Sequence, residues 1–272
     1  MNLDHINLNG KITTRTNAAI PVDNGAFRYG YGLFETMLVE RGSIRLKEYH
    51  WERLFEGLKV LQLERPPLMT YEWMENEVLR TVKKNGAEGL SRVRLQLYAG
   101  GGGLYGMESA QPGFLIECFP LETDVLKLNE HGLVAGIADG INKSMDSLSN
   151  LKSCNALIYA IAARQAKANK WNDALVRNTN NNIVESTIAN IFWIKDKVVY
   201  TPPLTEGCVA GVMRRHIMER ITVTEKELRE EGLLLADEVF LTNAIKRIRW
   251  VEGIGNTRYG NEKVNTIYKS LL

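Results

Sequence analysis

Apolar residues recur with two different periods along this chain, and the way those periods alternate restricts its fold most. Trp51, Leu54, Phe55, Leu58 and Leu61 form one stripe of helical spacing, which predicts a helix over residues 47–63 closed by Pro66-Pro67. Tyr71, Met74, Val78 and Val82 form a second stripe over residues 71–84, with Gly86 as its stop. Then the period drops to two: Val93, Leu95 and Leu97 alternate with Arg94 and Gln96, as in a strand with two unlike faces. Residues 33–44 read as two strands about the turn Arg41-Gly42, and residues 113–119 as another strand.

The pattern breaks into a polar stretch at residues 120–128 and then resumes. Strands are expected at 132–138, 189–194, 198–200, 237–242 and 247–251, with a tight turn at Asp196 and an Asn-rich turn over 178–182. Helices are expected at 153–169, 209–220 and 262–271; the first would be capped by Ser153 and would turn Ala156, Leu157, Ala160 and Ile161 inward. The reading is an α/β (α+β) chain of two domains, a small one at 1–122 and a larger one at 123–272 that carries Lys152.

Composition narrows the function. A 44% hydrophobic, 24% charged chain of 272 residues can bury a substantial core. A net charge of +2, without a concentrated basic stripe, argues against a nucleic-acid partner. The three cysteines are too scattered for a zinc site or a disulfide framework, so no metal is expected. No apolar run approaches a membrane span and the start lacks a signal-peptide pattern, so the expected setting is cytoplasmic. The glycines at 100–103 have no Gly-Lys-Ser/Thr after them and read as a loop; Gly30-Tyr31-Gly32 lacks the third glycine of a dinucleotide fingerprint. GxSxG and HExxH are absent, and the four histidines are scattered.

One ordered set of segments goes further. Lys152 stands before an expected helix, followed by Asp173-Ala174-Leu175, Val184-Glu185, Asn190-Ile191-Phe192, Tyr200-Thr201-Pro202, Gly211-Val212-Met213-Arg214 and Ala236-Asp237-Glu238-Val239-Phe240. Upstream come Phe34-Glu35 and His50-Trp51-Glu52-Arg53-Leu54. Over about residues 23–251 this resembles the fold-type-IV pyridoxal-phosphate enzymes, or class IV aminotransferases, which include branched-chain and D-amino-acid aminotransferases and aminodeoxychorismate lyase.

The resemblance implies pyridoxal 5′-phosphate between two α/β domains, a homodimer, and an amino-acid or amino-chorismate substrate. It implies a Schiff base at Lys152, which on base rates alone would be a solvated surface lysine. Such a lysine can later move a proton between the substrate and the cofactor. Glu185 would face the pyridine nitrogen, where a carboxylate keeps it protonated. Arg53, which lies opposite the apolar stripe of its helix, is nominated for the phosphate, as are the backbone N–H groups of Val212 and Met213 at a helix start. Asn243-Ala244 matches the second phosphate loop, with alanine where aminotransferases often have threonine. Arg94 matches a residue near the substrate carboxylate of branched-chain aminotransferases. Thr36 matches a threonine of the lyases. Amino transfer to a 2-oxo acid is the first reading. Release of pyruvate and 4-aminobenzoate from 4-amino-4-deoxychorismate is the second. A non-catalytic binding protein is a remote third, since such a descendant would be expected to lose Lys152 or Glu185.

Overall fold

The computed structural model describes residues 4–101 and 111–271, so part of the glycine run expected as a loop at 100–103 lies outside the described residues. By internal contacts the chain forms two compact units, Met1–Val125 with Leu151–Asn155, and Leu126–Asn150 with Ala156–Leu272.

The first unit is built on a six-stranded sheet. Its order is Lys11–Thr14, His5–Leu8, Gly113–Pro120, Leu90–Tyr98, Gly32–Glu40 and Ser43–Ile44, all antiparallel. The turn at Arg41-Gly42 has positive φ at both residues, the backbone twist a tight hairpin needs. The helices Lys47–Val60 and Tyr71–Lys84 contribute Trp51, Leu54, Leu58, Met74, Val78 and Val82 to one core with Leu33, Met37, Val39, Val93, Leu95 and Leu97 of the sheet. Alternation then turns Phe34, Thr36, Arg94 and Gln96 to the other face. The first helix stops at Val60, short of the expected 63, because Gln62 takes a positive φ before the prolines are reached.

The second unit carries a nine-stranded sheet whose main path runs Thr224–Glu225, Val198–Thr201, Asn190–Lys195, Glu238–Asn243, Arg247–Ile254, Leu133–Lys143, Asp173–Asn178 and Ile183–Ser186. Asn190 also pairs with Glu185, which closes six of these strands into a ring. The helix Leu157–Ala168 packs through Ala162 and Ala166 onto Ala138, Ala174 and Val176, where small side chains permit a close approach.

That helix begins four residues later than expected. Ala156, not Ser153, is its N-cap, and Leu157 is 73% exposed with Ala160 also outward. Ser153 is instead bridged to Leu33 in extended backbone. The helix at Val212–Met218 is likewise shorter than 209–220, starting after Gly211. No helix among the described residues is long and apolar enough to cross a membrane.

Candidate active site

Lys152 is held by the first sheet. Phe34 N–H donates to the Lys152 carbonyl at 2.9 Å and Cys154 N–H to the Gly32 carbonyl at 2.8 Å, so the lysine's segment lies along the edge of the strand Gly32–Glu40. This explains why Leu151–Asn155 group with the first unit, although the sequence reading gave Lys152 to a domain starting at 123. Close approach here demands glycine: a Cβ on Gly32 would lie 2.5 Å from the Leu97 carbonyl oxygen and 3.1 Å from Cys154 Sγ.

The Lys152 Nζ lies 4.3 Å from the centre of the Phe34 ring, and the Arg94 guanidinium carbon 3.9 Å from the same centre. One aromatic ring thus holds two cations, each attracted to its π-electrons. Thr36 lies directly opposite Arg94 in the strand register and shares its face. Arg94 donates to Gln96 Oε1 at 3.0 Å, and desolvation lowers its pKa without depriving it of its charge under ordinary conditions. Burial pushes the Cys154 thiol up to about 11 although Arg94 opposes the shift, so Cys154 is no thiolate nucleophile.

Arg53 sits on the helix-covered side. Its Nε donates to Glu35 Oε1 at 2.7 Å and its Nη2 to Glu35 Oε2 at 2.6 Å; His50 Nδ1 meets Oε2 at 2.6 Å. Burial alone would raise the Glu35 pKa, but Arg53 and His50 more than offset it and hold the carboxyl down to about 2. The helical wheel left Arg53 exposed; its side chain is 14% exposed instead, because a buried glutamate draws it in.

In the second unit, Glu185 is 3% exposed at the ring closure. Oε1 accepts from Lys143 Nζ and, at 2.7 Å, from the Tyr159 hydroxyl; Oε2 accepts from Val209 N–H at 2.9 Å. Burial, then the negative charge of Glu185, raise the Tyr159 pKa, so its hydroxyl stays protonated and donates. Burial likewise pushes the Cys208 thiol up to about 12. Asn190 donates to the Val209 carbonyl at 2.9 Å, and a Cβ on Gly211 would lie 1.9 Å from Asn190 Oδ1. Gly211 therefore lets the chain pass Asn190, the strand partner of Glu185, and open the helix with Val212 and Met213. That helix has no side-chain cap, and its first N–H groups have no partner within it. Asn243 Oδ1 accepts from Ile245 and Lys246 N–H at 3.0 and 2.8 Å, which folds the loop containing Ala244.

The structure thus brings Lys152, Arg94 and Thr36 to one sheet face, places Arg53 on the opposite side of that sheet, and sets Glu185 and Val212-Met213 along one stretch of the second unit. Sequence reasoning passed over Phe34 as a cation platform and missed Lys143 and Tyr159. Lys143 lies beyond the strand expected at 132–138, and no local pattern distinguishes it from a solvent-facing lysine.

The fold is that of the fold-type-IV enzymes. A branched-chain aminotransferase from Thermoproteus uzoniensis superposes with a TM-score of 0.85 over 98% of this chain and 93% of that one, at 24% identity. An aminodeoxychorismate lyase of Bacillus subtilis is 30% identical, with 94% of this chain and 89% of that protein covered. A putative branched-chain-amino-acid aminotransferase of Methanocaldococcus jannaschii is also 30% identical, covering 98% and 93%. The model of the amino-transferase class IV family matches residues 32–254. The chain belongs to the class IV aminotransferase family, whose members are pyridoxal-phosphate-dependent aminotransferases or lyases.

Proposed function

We propose that this enzyme holds pyridoxal 5′-phosphate covalently at Lys152 and transfers an amino group from a branched-chain-like amino acid to a 2-oxo acid. The observation that carries the reading is the Phe34 ring with Lys152 and Arg94 both on it: a permanent cation stands beside the nucleophilic amine. A guanidinium there suits the α-carboxylate of an incoming amino acid.

The residues present fit the cofactor. Glu185 has a single N–H on Oε2 among the bonds described above, which leaves that oxygen a lone pair for the pyridine nitrogen. The uncapped helix start offers the N–H groups of Val212 and Met213 to a phosphate. Arg53 would add a cation for the phosphate, and the Asn243-Ala244 loop a backbone contact without a hydroxyl. When bound, the cofactor supplies an electron sink for a carbanion at the substrate α-carbon. Lys152 Nζ, released by the substrate amine, carries the proton from that carbon. Arg94 orients the carboxylate, and Glu185 holds a proton on the ring nitrogen.

Thr36 supports the lyase as a second reading. Its hydroxyl shares the face of Phe34 and Arg94, where it could deliver a proton to a departing enolpyruvyl group. Single-turnover absorbance separates the two. An aminotransferase mixed with L- or D-amino acids loses the visible band of its bound cofactor in proportion to enzyme and regains it with a 2-oxo acid. A lyase keeps that band and releases pyruvate from 4-amino-4-deoxychorismate. Pyruvate release without bleaching by any amino acid would replace the first reading with the second.

A further inference from the structure

The side chain of Lys143 is 7% exposed and that of Glu185 is 4% exposed, and the ammonium meets the carboxylate directly. Lys143 closes the strand Leu133–Lys143; Tyr159 reaches the same oxygen from the helix Leu157–Ala168; Val209 N–H comes from the loop before Gly211. Cys208 and Arg214 also lie in this neighbourhood; burial keeps Cys208 a neutral thiol, and Arg214 donates to Glu225 and to the Pro202 carbonyl instead. The pair is therefore one cation against one anion, with two neutral donors fixing the geometry.

We infer that Lys143 is a positioning residue that keeps Glu185 ionised and aimed, so that Glu185 leaves its proton on the ring nitrogen of the cofactor instead of keeping it. The inference rests on the reading that Glu185 faces that nitrogen. In a dry interior a carboxylate and a pyridine that share one proton favour the uncharged arrangement. A cation behind the carboxylate reverses this, because it lies nearer the oxygen it stabilises than the nitrogen it opposes. Tyr159 and the Val209 N–H add direction but no charge, so they cannot replace it.

The test uses Lys143→Met and Lys143→Arg beside Glu185→Gln, each loaded with pyridoxal 5′-phosphate. The pH profile of the bound cofactor's visible absorption is the first readout. Lys143→Met is expected to shift its midpoint in the same direction as Glu185→Gln, by about tenfold or more in proton affinity, roughly one pH unit, and Lys143→Arg to restore it. The apoprotein gives the second. Lys143→Met should gain melting temperature as the pH is lowered, because a buried carboxylate deprived of its cation favours its protonated form, and the double variant Lys143→Met/Glu185→Gln should show no such gain. If Lys143→Met does not fold, Lys143→Gln removes the charge and keeps a donor. A shift with Glu185→Gln but none with the Lys143 variants overturns the role of Lys143 alone. No shift with Glu185→Gln overturns the underlying reading and the inference with it.

Discussion

Glu35 and Glu185 are buried to nearly the same degree, 1% and 3% exposed, and each accepts three of the hydrogen bonds described above, yet their environments differ in charge. Glu35 faces a guanidinium fork and an imidazole under the first unit's helices. Glu185 faces one ammonium and two neutral donors at a ring closure, beside a chain held open by glycine. The first arrangement ties a helix to a sheet. Each carboxylate has one oxygen with a single described bond and one with two, so the contrast lies in the charge of the partners. Burial and the number of hydrogen bonds do not distinguish these two carboxylates; the charge of their partners does.

Exchanging each carboxylate for its amide sharpens that contrast. Glu185→Gln should lower turnover about a hundredfold, since losing a charge-assisted bond of about 2–3 kcal/mol in the transition state has that effect on a rate. Steady-state kinetics beside a cofactor titration would show a much smaller change in cofactor affinity. Glu35→Gln should act on the stability of the fold instead. It strands Arg53 without its carboxylate, and urea unfolding at pH 7 should register a loss of about 3–5 kcal/mol.

Acid should act on the same difference. The Glu35 pKa lies at about 2 against an ordinary 4.5. A depressed carboxylate stabilises the fold above its unfolded pKa and loses that contribution as pH falls through the folded value. Wild-type protein should therefore lose on the order of 3 kcal/mol from this group between about pH 5 and 2. Glu35→Gln should flatten that part of the profile; an unchanged slope would remove Glu35 from the explanation.

Arg53→Ala probes the border between the two roles. It should weaken cofactor retention and lower stability together, with turnover of the remaining holoenzyme changed less. If retention is untouched, Arg53 belongs to Glu35 alone. The smallest effect is expected from Thr36→Ala, a severalfold loss for an aminotransferase that relies on Lys152 for proton transfer; a lyase would be crippled.

Much of the fold was legible because periodicity reports burial directly. The stripe from Trp51 to Leu58 and the alternation Val93-Leu95-Leu97 became the core of the first unit as read. The helix after Lys152 was misplaced because Ser153 looks like a cap, while the signal that overrides it, extended pairing with Leu33, comes from 120 residues away. The same holds for the site. Lys152, Glu185 and Arg94 stand in motifs that a resemblance can match. The pairing of Lys143 with Glu185 exists only after strands 42 residues apart in sequence are brought together. The Phe34 platform likewise depends on an edge that a local window does not contain.

Lys152 is the residue on which the proposed chemistry depends most directly. Purified holoenzyme reduced with borohydride, digested and mapped by mass spectrometry should carry the phosphopyridoxyl adduct on the peptide containing Lys152, and Lys152→Ala protein should show no adduct and no turnover while keeping its fold. An adduct on Lys143 or any other lysine, or full turnover in Lys152→Ala, would contradict it.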